Sequence, residues 1–186
     1  MSQYKNLQYD KPKKSTYLWW ALKAILSFSY WRYLAYSWVF GIVNFYYPRT
    51  QVKLGRNVNI HPTVVIRHGE RISIGNGSLI NHSNVFQAGK KKAEISIGEN
   101  VHTGPGVMFF AYNHRYELGS PSIEQNYDEA DIFVGNDVWI GANSVVLAGA
   151  TIENGVVIGA STVVRGRLIE NGIYAGNPAK LIGTRT

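Results

Sequence analysis

The 186-residue chain contains no cysteine, which excludes a disulfide framework, a thiolate zinc site and a cysteine nucleophile. Acidic residues are almost missing from its first 53 residues, where Asp10 stands against eight Lys or Arg. The remainder holds eleven residues of each sign and is neutral, so the net charge of +7 belongs to one end. A basic chain invites a nucleic-acid partner. Here the charge lies beside aromatic residues and outside any nucleic-acid-binding motif, so no such partner is expected. No secretory signal is evident, since the apolar stretch begins too far in and lacks a clean small-residue cleavage site. The length suits one domain with an appendage.

What is present is a strict rhythm. From Val134 to Val164 an aliphatic residue falls on every sixth position: Val134, Ile140, Val146, Ile152, Ile158, Val164. Neither a helix nor a plain strand has a period of six. It marks a short repeat in which each unit forms one face of a coil. A second column lies two residues earlier: Ile132, Val138, Ser144, Ala150, Val156, Thr162. Large and small side chains therefore alternate into one interior, and turn formers such as Gly, Asn and Asp occupy the positions between.

The rhythm recurs upstream with shifts of phase. Leu54, Ile60, Ile66 and Ile72 form one run, Ile74, Ile80 and Phe86 a second, and Ile97, Thr103 and Phe109 a third. Residues 88–94 and 112–130 break the count. Such breaks are expected to be loops thrown out from one face of a rigid scaffold, and loops of that kind often carry function.

Residues 17–47 have no hexads, and Gly41 is their one glycine. They hold four of the five tryptophans, and only Lys23 and Arg32 are charged. The stretch is read as helical. One helix is expected to start with Ser15 or Thr16 as N-cap. Another is expected to end near 41–44, ahead of Pro48. Three arrangements suit it. One is a membrane-spanning helix, although Lys23, Arg32 and several serines divide the run. Another is an interfacial helix beside the basic residues Lys5, Lys11, Lys13 and Lys14. The third is a cap over the open end of the coils or a packing element between subunits.

The repeats, with the segment Val134-Gly135-Asn136-Asp137-Val138-Trp139-Ile140-Gly141-Ala142-Asn143 and the tail Tyr174-Ala175-Gly176-Asn177-Pro178-Ala179-Lys180, resemble the hexapeptide-repeat acyltransferases. The nearest branch contains galactoside, maltose and polysaccharide O-acetyltransferases, and the resemblance covers about residues 52–183. It implies a mainly β fold, a left-handed parallel β-helix with three hexads per coil. The segments expected are 1–50, helical, aromatic and basic; 51–176, the β-helix; and 177–186, a short C-terminal tail or helix. The aromatic leader departs from the galactoside and maltose enzymes and looks more like that of some exopolysaccharide acetyltransferases.

The resemblance also implies a site. In this family a histidine opens the long loop before the Val-Trp-Ile-Gly segment, and here that place reads Tyr112-Asn113-His114. Acetyl transfer from a thioester to a sugar hydroxyl needs a group to take the hydroxyl proton, and a neutral imidazole suits that task. His114 is thus the expected general base. Asn84, thirteen residues before Ile97-Gly98, is expected to bind the acceptor hydroxyl, with Asn81 as the fallback and Asn113 beside the base on the acceptor side. Acetyl-CoA, as cosubstrate, is expected along the outside of the coils. Its pantetheine arm would meet Gly141, Ala142 and Ala160, its thioester Trp139, and its phosphates Arg165, Arg167 and Lys180. An acidic acceptor contact found near the amino terminus of the galactoside and maltose enzymes has no counterpart here. His61 and His68 read as turn residues, and His82 and His102 as candidates for a subunit interface. No metal is expected, since the carbonic-anhydrase branch of this fold has two histidines five residues apart and this chain has no such pair.

The reading is therefore a homotrimeric O-acetyltransferase of a saccharide in polysaccharide, capsule or O-antigen biosynthesis. It is expected in the cytoplasm, with residues 1–47 able to hold it at the inner face of a membrane near a lipid-linked acceptor. The alternatives are N-acetylation of a nucleotide-linked amino sugar and a catalytically silent β-helix serving assembly.

Overall fold

The computed structural model describes residues 12–186, and the chain divides into two compact units between Gly41 and Ile42. Residues 42–50 therefore fold with the β-helix. Lys5 and Lys11 of the basic tail lie outside the described residues.

The first unit contains two helices, α1 (Lys14–Ile25) and α2 (Phe28–Gly41). The N-cap of α1 is Lys13, not Ser15 or Thr16. The Lys13 carbonyl already accepts the Thr16 and Tyr17 amides at 2.8 and 3.4 Å, so both hydroxyl residues fall inside the first turn. The side-chain cap appears instead at Ser27. Its hydroxyl donates to Ala24 O at 2.9 Å and accepts the Tyr30 amide at 3.2 Å, closing one helix and opening the next. The Trp31 indole donates to the free Ile25 carbonyl at 2.8 Å. Neither helix buries a residue, and Trp19, Trp20, Trp31 and Trp38 are all more than half exposed. No helix among the described residues is long and apolar enough to cross a membrane.

The second unit opens with a π-helical turn (Ile42–Tyr46) and a short helix (Tyr47–Thr50). Helix α2 thus ends at Gly41, inside the expected 41–44, and two further helical turns carry the chain past Pro48 to Thr50. Pro48 permits this because it sits in the first turn of the short helix, where no amide is needed. The segment packs on the first coil. Buried Asn44 accepts a hydrogen bond from Arg67. Arg49 Nη2 donates to the carbonyls of His61, Pro62 and Val64 at 2.9, 3.3 and 3.3 Å.

From Lys53 the chain winds a parallel β-helix with three faces. The first face stacks Lys53–Leu54, Ile72–Ile74, Ile95–Ile97, Ile132–Val134, Thr151–Ile152 and Arg167–Leu168. The second stacks Asn59–Ile60, Leu79–Ile80, His102–Thr103, Trp139–Ile140, Val157–Ile158 and Gly172–Ala175. The third stacks Val65–Arg67, Val85–Gln87, Met108–Phe110, Val145–Leu147 and Val163–Val164. Both predicted columns from Ile132 to Val164 lie inside, none more than 1% exposed. Upstream, Phe86 and Phe109 stack inside the third face at 4.5 Å. Leu54 alone of the long aliphatic runs stands half exposed, because its strand is the free edge of the first face.

The corners explain the turn residues. Between the first and second faces, Asn57, Gly77, Asn100, Asp137, Gly155 and Asn171 all take positive φ, which glycine, Asn and Asp tolerate best. Just before them, Asn76, Asn136 and Asn154 turn their carbonyl oxygens onto amides of the preceding coil (Arg56, Glu99 and Asn136) at 2.7–2.8 Å. The C-terminal tail returns as a strand, Lys180–Thr184, antiparallel to Gly172–Ala175.

Candidate active site

Both predicted breaks leave the β-helix at the corner between the third and first faces. The longer one is a two-stranded hairpin, Tyr112–His114 against Tyr127–Glu129. Its register sets His114 opposite Tyr127 and Tyr112 opposite Glu129. His114 and Asn113 are exposed, and the His114 ring rests 4.3 Å from that of Tyr127.

The shorter break, 88–94, is bound to this hairpin. The Glu129 carboxylate accepts the amides of Lys91, Lys92 and Ala93 at 2.9–3.2 Å. The Asp131 carboxylate accepts the Glu94 amide at 2.8 Å. Gly89 is obligatory, since a Cβ there would lie 2.6 Å from Glu129 Oε2. The Lys90 ammonium sits 3.5 Å over the Tyr127 ring and 5.3 Å from that of Tyr112. The Tyr112 hydroxyl donates to Gln87 Oε1 at 2.6 Å, and Arg115 pairs with Asp128 at 2.7 Å. Two interruptions 17 residues apart in the sequence, 88–94 and 112–130, thus form one folded unit that backs the histidine.

Asn84 lies on the other side of the third face, fully buried at the corner with the second. Its Nδ2 donates to Gly104 O at 2.8 Å and His82 O at 3.3 Å, while its Oδ1 has no partner. A buried acceptor left unmade costs about 1–3 kcal/mol. Two serines at the same place in their hexads, Ser144 at this corner and Ser78 at the one between the first and second faces, carry no such deficit. Ser78 Oγ donates to Gly98 O and accepts the Val101 amide, and Ser144 Oγ donates to Gly159 O and accepts the Thr162 amide. Asn84 lies level with Val107, whose carbonyl bonds Val85, and the hairpin starts five residues further along the chain, at Tyr112. That is roughly 17 Å of extended chain. One protomer therefore keeps Asn84 and His114 at opposite edges of a face. Asn81 caps the same corner, its Oδ1 accepting the His82 amide at 2.8 Å.

The remaining candidates fall on the second face and its corners. Trp139 is 53% exposed on the outer surface, between His102 and Val157 in register. Gly141, Ala142 and Ala160 follow at the corner with the third face, where a Cβ on Gly141 would meet Ala160 N at 2.5 Å. Gly104 is held as closely to the next coil at this corner, where a Cβ would meet Ala142 N at 2.6 Å. Arg165, Arg167 and Lys180 are exposed. Arg165 follows the third face and Arg167 lies on the first, bound to Glu153, whereas Lys180 is on the tail strand beside the second face. Among the described residues Arg165 and Lys180 have no ion pair, so these two remain open to phosphates. A hydrogen bond from the Glu170 backbone amide, joined by the Arg167 pair, pulls the Glu153 carboxyl below its ordinary range. The His61 and His82 rings stack edge to face at 5.7 Å, and His68 takes a left-handed turn. No group of three or more His, Cys, Asp or Glu among the described residues could hold a metal.

The repeat pattern described as "Bacterial transferase hexapeptide (six repeats)" matches residues 131–166. The chain belongs to the hexapeptide-repeat transferases. It is 33% identical over 129 residues to an Escherichia coli protein named as a lipopolysaccharide biosynthesis O-acetyl transferase, covering 68% of this chain and 57% of that one. It thus spans little more than half the length of that relative. A second E. coli relative, named as a colanic acid biosynthesis acetyltransferase, is 27% identical over 90% of this chain and 86% of its own. Among solved structures, a galactoside acetyltransferase in complex with coenzyme A superposes with a TM-score of 0.67 at 27% identity, covering 74% of this chain and 67% of that chain.

Sequence reasoning missed Lys90, Tyr127, Glu129 and Asp131. Their one signal was the acidic run Asp128 to Asp131 facing the basic run Lys90 to Lys92, which charge alone does not pair. Burial works to raise the Glu129 pKa, but hydrogen bonds from the backbone amides of Lys92, Ala93, Lys91 and Lys90 outweigh it and lower the value to about 2. Because the folded value is depressed, the clamp stabilises fully above the ordinary value of 4.5 and is lost as pH falls through about 2. The amide resonances of Lys91, Lys92 and Ala93 should therefore titrate together with a midpoint of about 2. A midpoint in the ordinary carboxylate range would show that Glu129 does not hold the loop.

Proposed function

We propose that the protein is an acetyl-CoA-dependent O-acetyltransferase acting on a saccharide hydroxyl in polysaccharide, capsule or O-antigen biosynthesis. The observation that carries the reading is the presentation of His114, an exposed imidazole on a hairpin braced against the scaffold. The coenzyme-bound relative and the small residues Gly141, Ala142 and Ala160 at the corner support the choice of donor.

Acetyl-CoA supplies the acetyl group as a thioester. The acceptor hydroxyl lies between its carbonyl carbon and the unprotonated ring nitrogen of His114. The imidazole takes the hydroxyl proton as the oxygen bonds to that carbon. As the carbon–sulfur bond breaks, the imidazolium returns the proton to the leaving thiolate, so the histidine ends unchanged. The unpaired Asn84 Oδ1 is closed to solvent, so it would receive the acceptor hydroxyl only once its corner opens, whereas Asn113 stands exposed beside the base. Holding both reactants in place supplies much of the remaining acceleration. The variant His114→Ala is expected to lower turnover by about 10² to 10⁴ with coenzyme affinity little changed. Near-normal turnover would remove His114 from the mechanism.

The separation of Asn84 and His114 favours a homotrimer in which each site draws on two protomers. A mixture of His114→Ala and Asn84→Ala chains, unfolded and reassembled together, tests this. Each variant alone is expected to be inactive. Random assembly should restore about a quarter of the wild-type sites, because an intact site then needs one chain of each kind in a fixed order. No recovery in correctly sized mixed assemblies would mean that each site lies within one chain.

The leader supports action at the inner face of a membrane, on a lipid-linked acceptor. Helices α1 and α2 bury none of their aromatics, and no acid occurs between Asp10 and Glu70. Each basic residue close to an anionic surface contributes about 1 kcal/mol, and inserted aromatics add to this. The full chain should sediment with anionic liposomes at low salt and remain in solution with neutral ones. Equal sedimentation with both, or with neither, would contradict an electrostatic membrane anchor.

A further inference from the structure

Beside the proposed base lies a cavity of about 250 Å³ lined by Lys91, Lys92, Arg115, Tyr127, Asp128 and Glu129. It falls just under the size that holds a drug-like ligand, roughly 300–1,000 Å³, which suits one sugar unit. Its charges are not balanced. Both acids are already engaged, Glu129 by the backbone amides of Lys91, Lys92 and Ala93, and Asp128 by Arg115. Lys90 is engaged too, over the rings of Tyr127 and Tyr112. Lys91 and Lys92 have exposed side chains and no ion pair among the described residues. Their own amides face Glu129, so the backbone that carries the two ammonium groups is fixed even though the groups are free. Tyr127 forms one wall of this cavity and touches the His114 ring on the same hairpin, 4.3 Å between centroids. A group held by the lysines therefore lies one residue from the proposed base.

We propose that this cavity is a subsite for an anionic group on the saccharide acceptor, with Lys91 and Lys92 as its ligands and Tyr127 as the wall that passes the sugar to His114. The inference rests on the acetyl-transfer reading above and narrows its substrate class to acidic saccharides. The anion is either a carboxylate on the sugar ring, as in a uronic acid, or a phosphate at the anomeric linkage. Both present oxygens that ammonium groups bind, and both are excluded from a cavity whose lysines were already paired.

The experiment measures binding to the full-length protein of three probes: p-nitrophenyl β-D-glucuronide, p-nitrophenyl β-D-glucoside and glucose 1-phosphate. Solvent-facing ion pairs are individually weak, so two lysines should give a preference of about tenfold for a charged probe over the neutral one at low salt. The preference should vanish in the double variant Lys91→Gln, Lys92→Gln and shrink as salt rises. A preference for the glucuronide places the charge on the ring, and one for the phosphate places it at the linkage. Either supports the subsite. Equal binding of charged and neutral probes, a preference that survives the double variant, or no detectable binding of either charged probe overturns it. Coenzyme A binding and the His114→Ala turnover are read separately on the same preparations. A charge preference in a protein that binds no coenzyme would leave the subsite standing and sink the acetyl-transfer reading.

Discussion

In the β-helix each interior side chain stands on its counterpart one coil away, and parallel pairing allows no slack in that relation. Val134 pairs with Ile152 and Ile140 with Ile158, each eighteen residues on. A coil that started one residue late would turn its aliphatic column outward, because successive side chains point to opposite faces. The same constraint fixes the corners. Every coil must turn at the same three places, so Asn, Asp and Gly recur at one corner with positive φ and the Asn76, Asn136 and Asn154 side chains hold the turns of neighbouring coils together. Any insertion has to leave and re-enter at one corner, or the register above it is lost.

This accounts for where the proposed chemistry would sit. The interior is closed and apolar, and the faces are short strands with their backbone groups spent on neighbouring coils. A side chain that must reach substrate is best carried by an interruption, and an interruption alone would move too freely for a base. The two at the third corner solve this jointly. Glu129 takes three amides of the shorter loop, Asp131 a fourth, and Lys90 covers the ring that supports His114. The hairpin gains a backing without adding a coil.

The scaffold was legible because its signal is periodic. Six aliphatic hits from Val134 to Val164, with their partners two residues earlier, mark the buried columns, and the two failures of the count mark the excursions that carry His114. The N-cap was misplaced because Ser15 and Thr16 have the right chemistry, whereas Lys13 only provides the backbone turn. The cap at Ser27 sits between two apolar helices and has no acidic residue to signal it. Glu129 was invisible for a different reason. Its partners are backbone amides, and nothing in the side chains of Lys91, Lys92 and Ala93 announces which way their amides point. The strand pairing of the tail was equally invisible, and it is what returns Lys180 along Gly172–Ala175, with Ala179 bonded to Val163 just before Arg165.

Asn84 is where the demands of the fold and of the site separate. At the same place in their hexads Ser78 and Ser144 each donate to a carbonyl and accept an amide, so a small hydroxyl satisfies the position completely. Asn84 makes the donor half of that arrangement and leaves its oxygen without a partner inside the protein. Rotating the amide would not help, because it would turn the oxygen toward the carbonyls of Gly104 and His82 that its nitrogen now serves. The coil geometry therefore has a cheaper solution, already used twice in this chain, and does not use it here. That oxygen is closed to solvent, so a donor from outside reaches it only where the corner opens, and a hydroxyl about to give its proton to a histidine would be such a donor. It would arrive at one edge of the third face while His114 stands at the other, so the same oxygen that argues for an acceptor also argues for a second protomer.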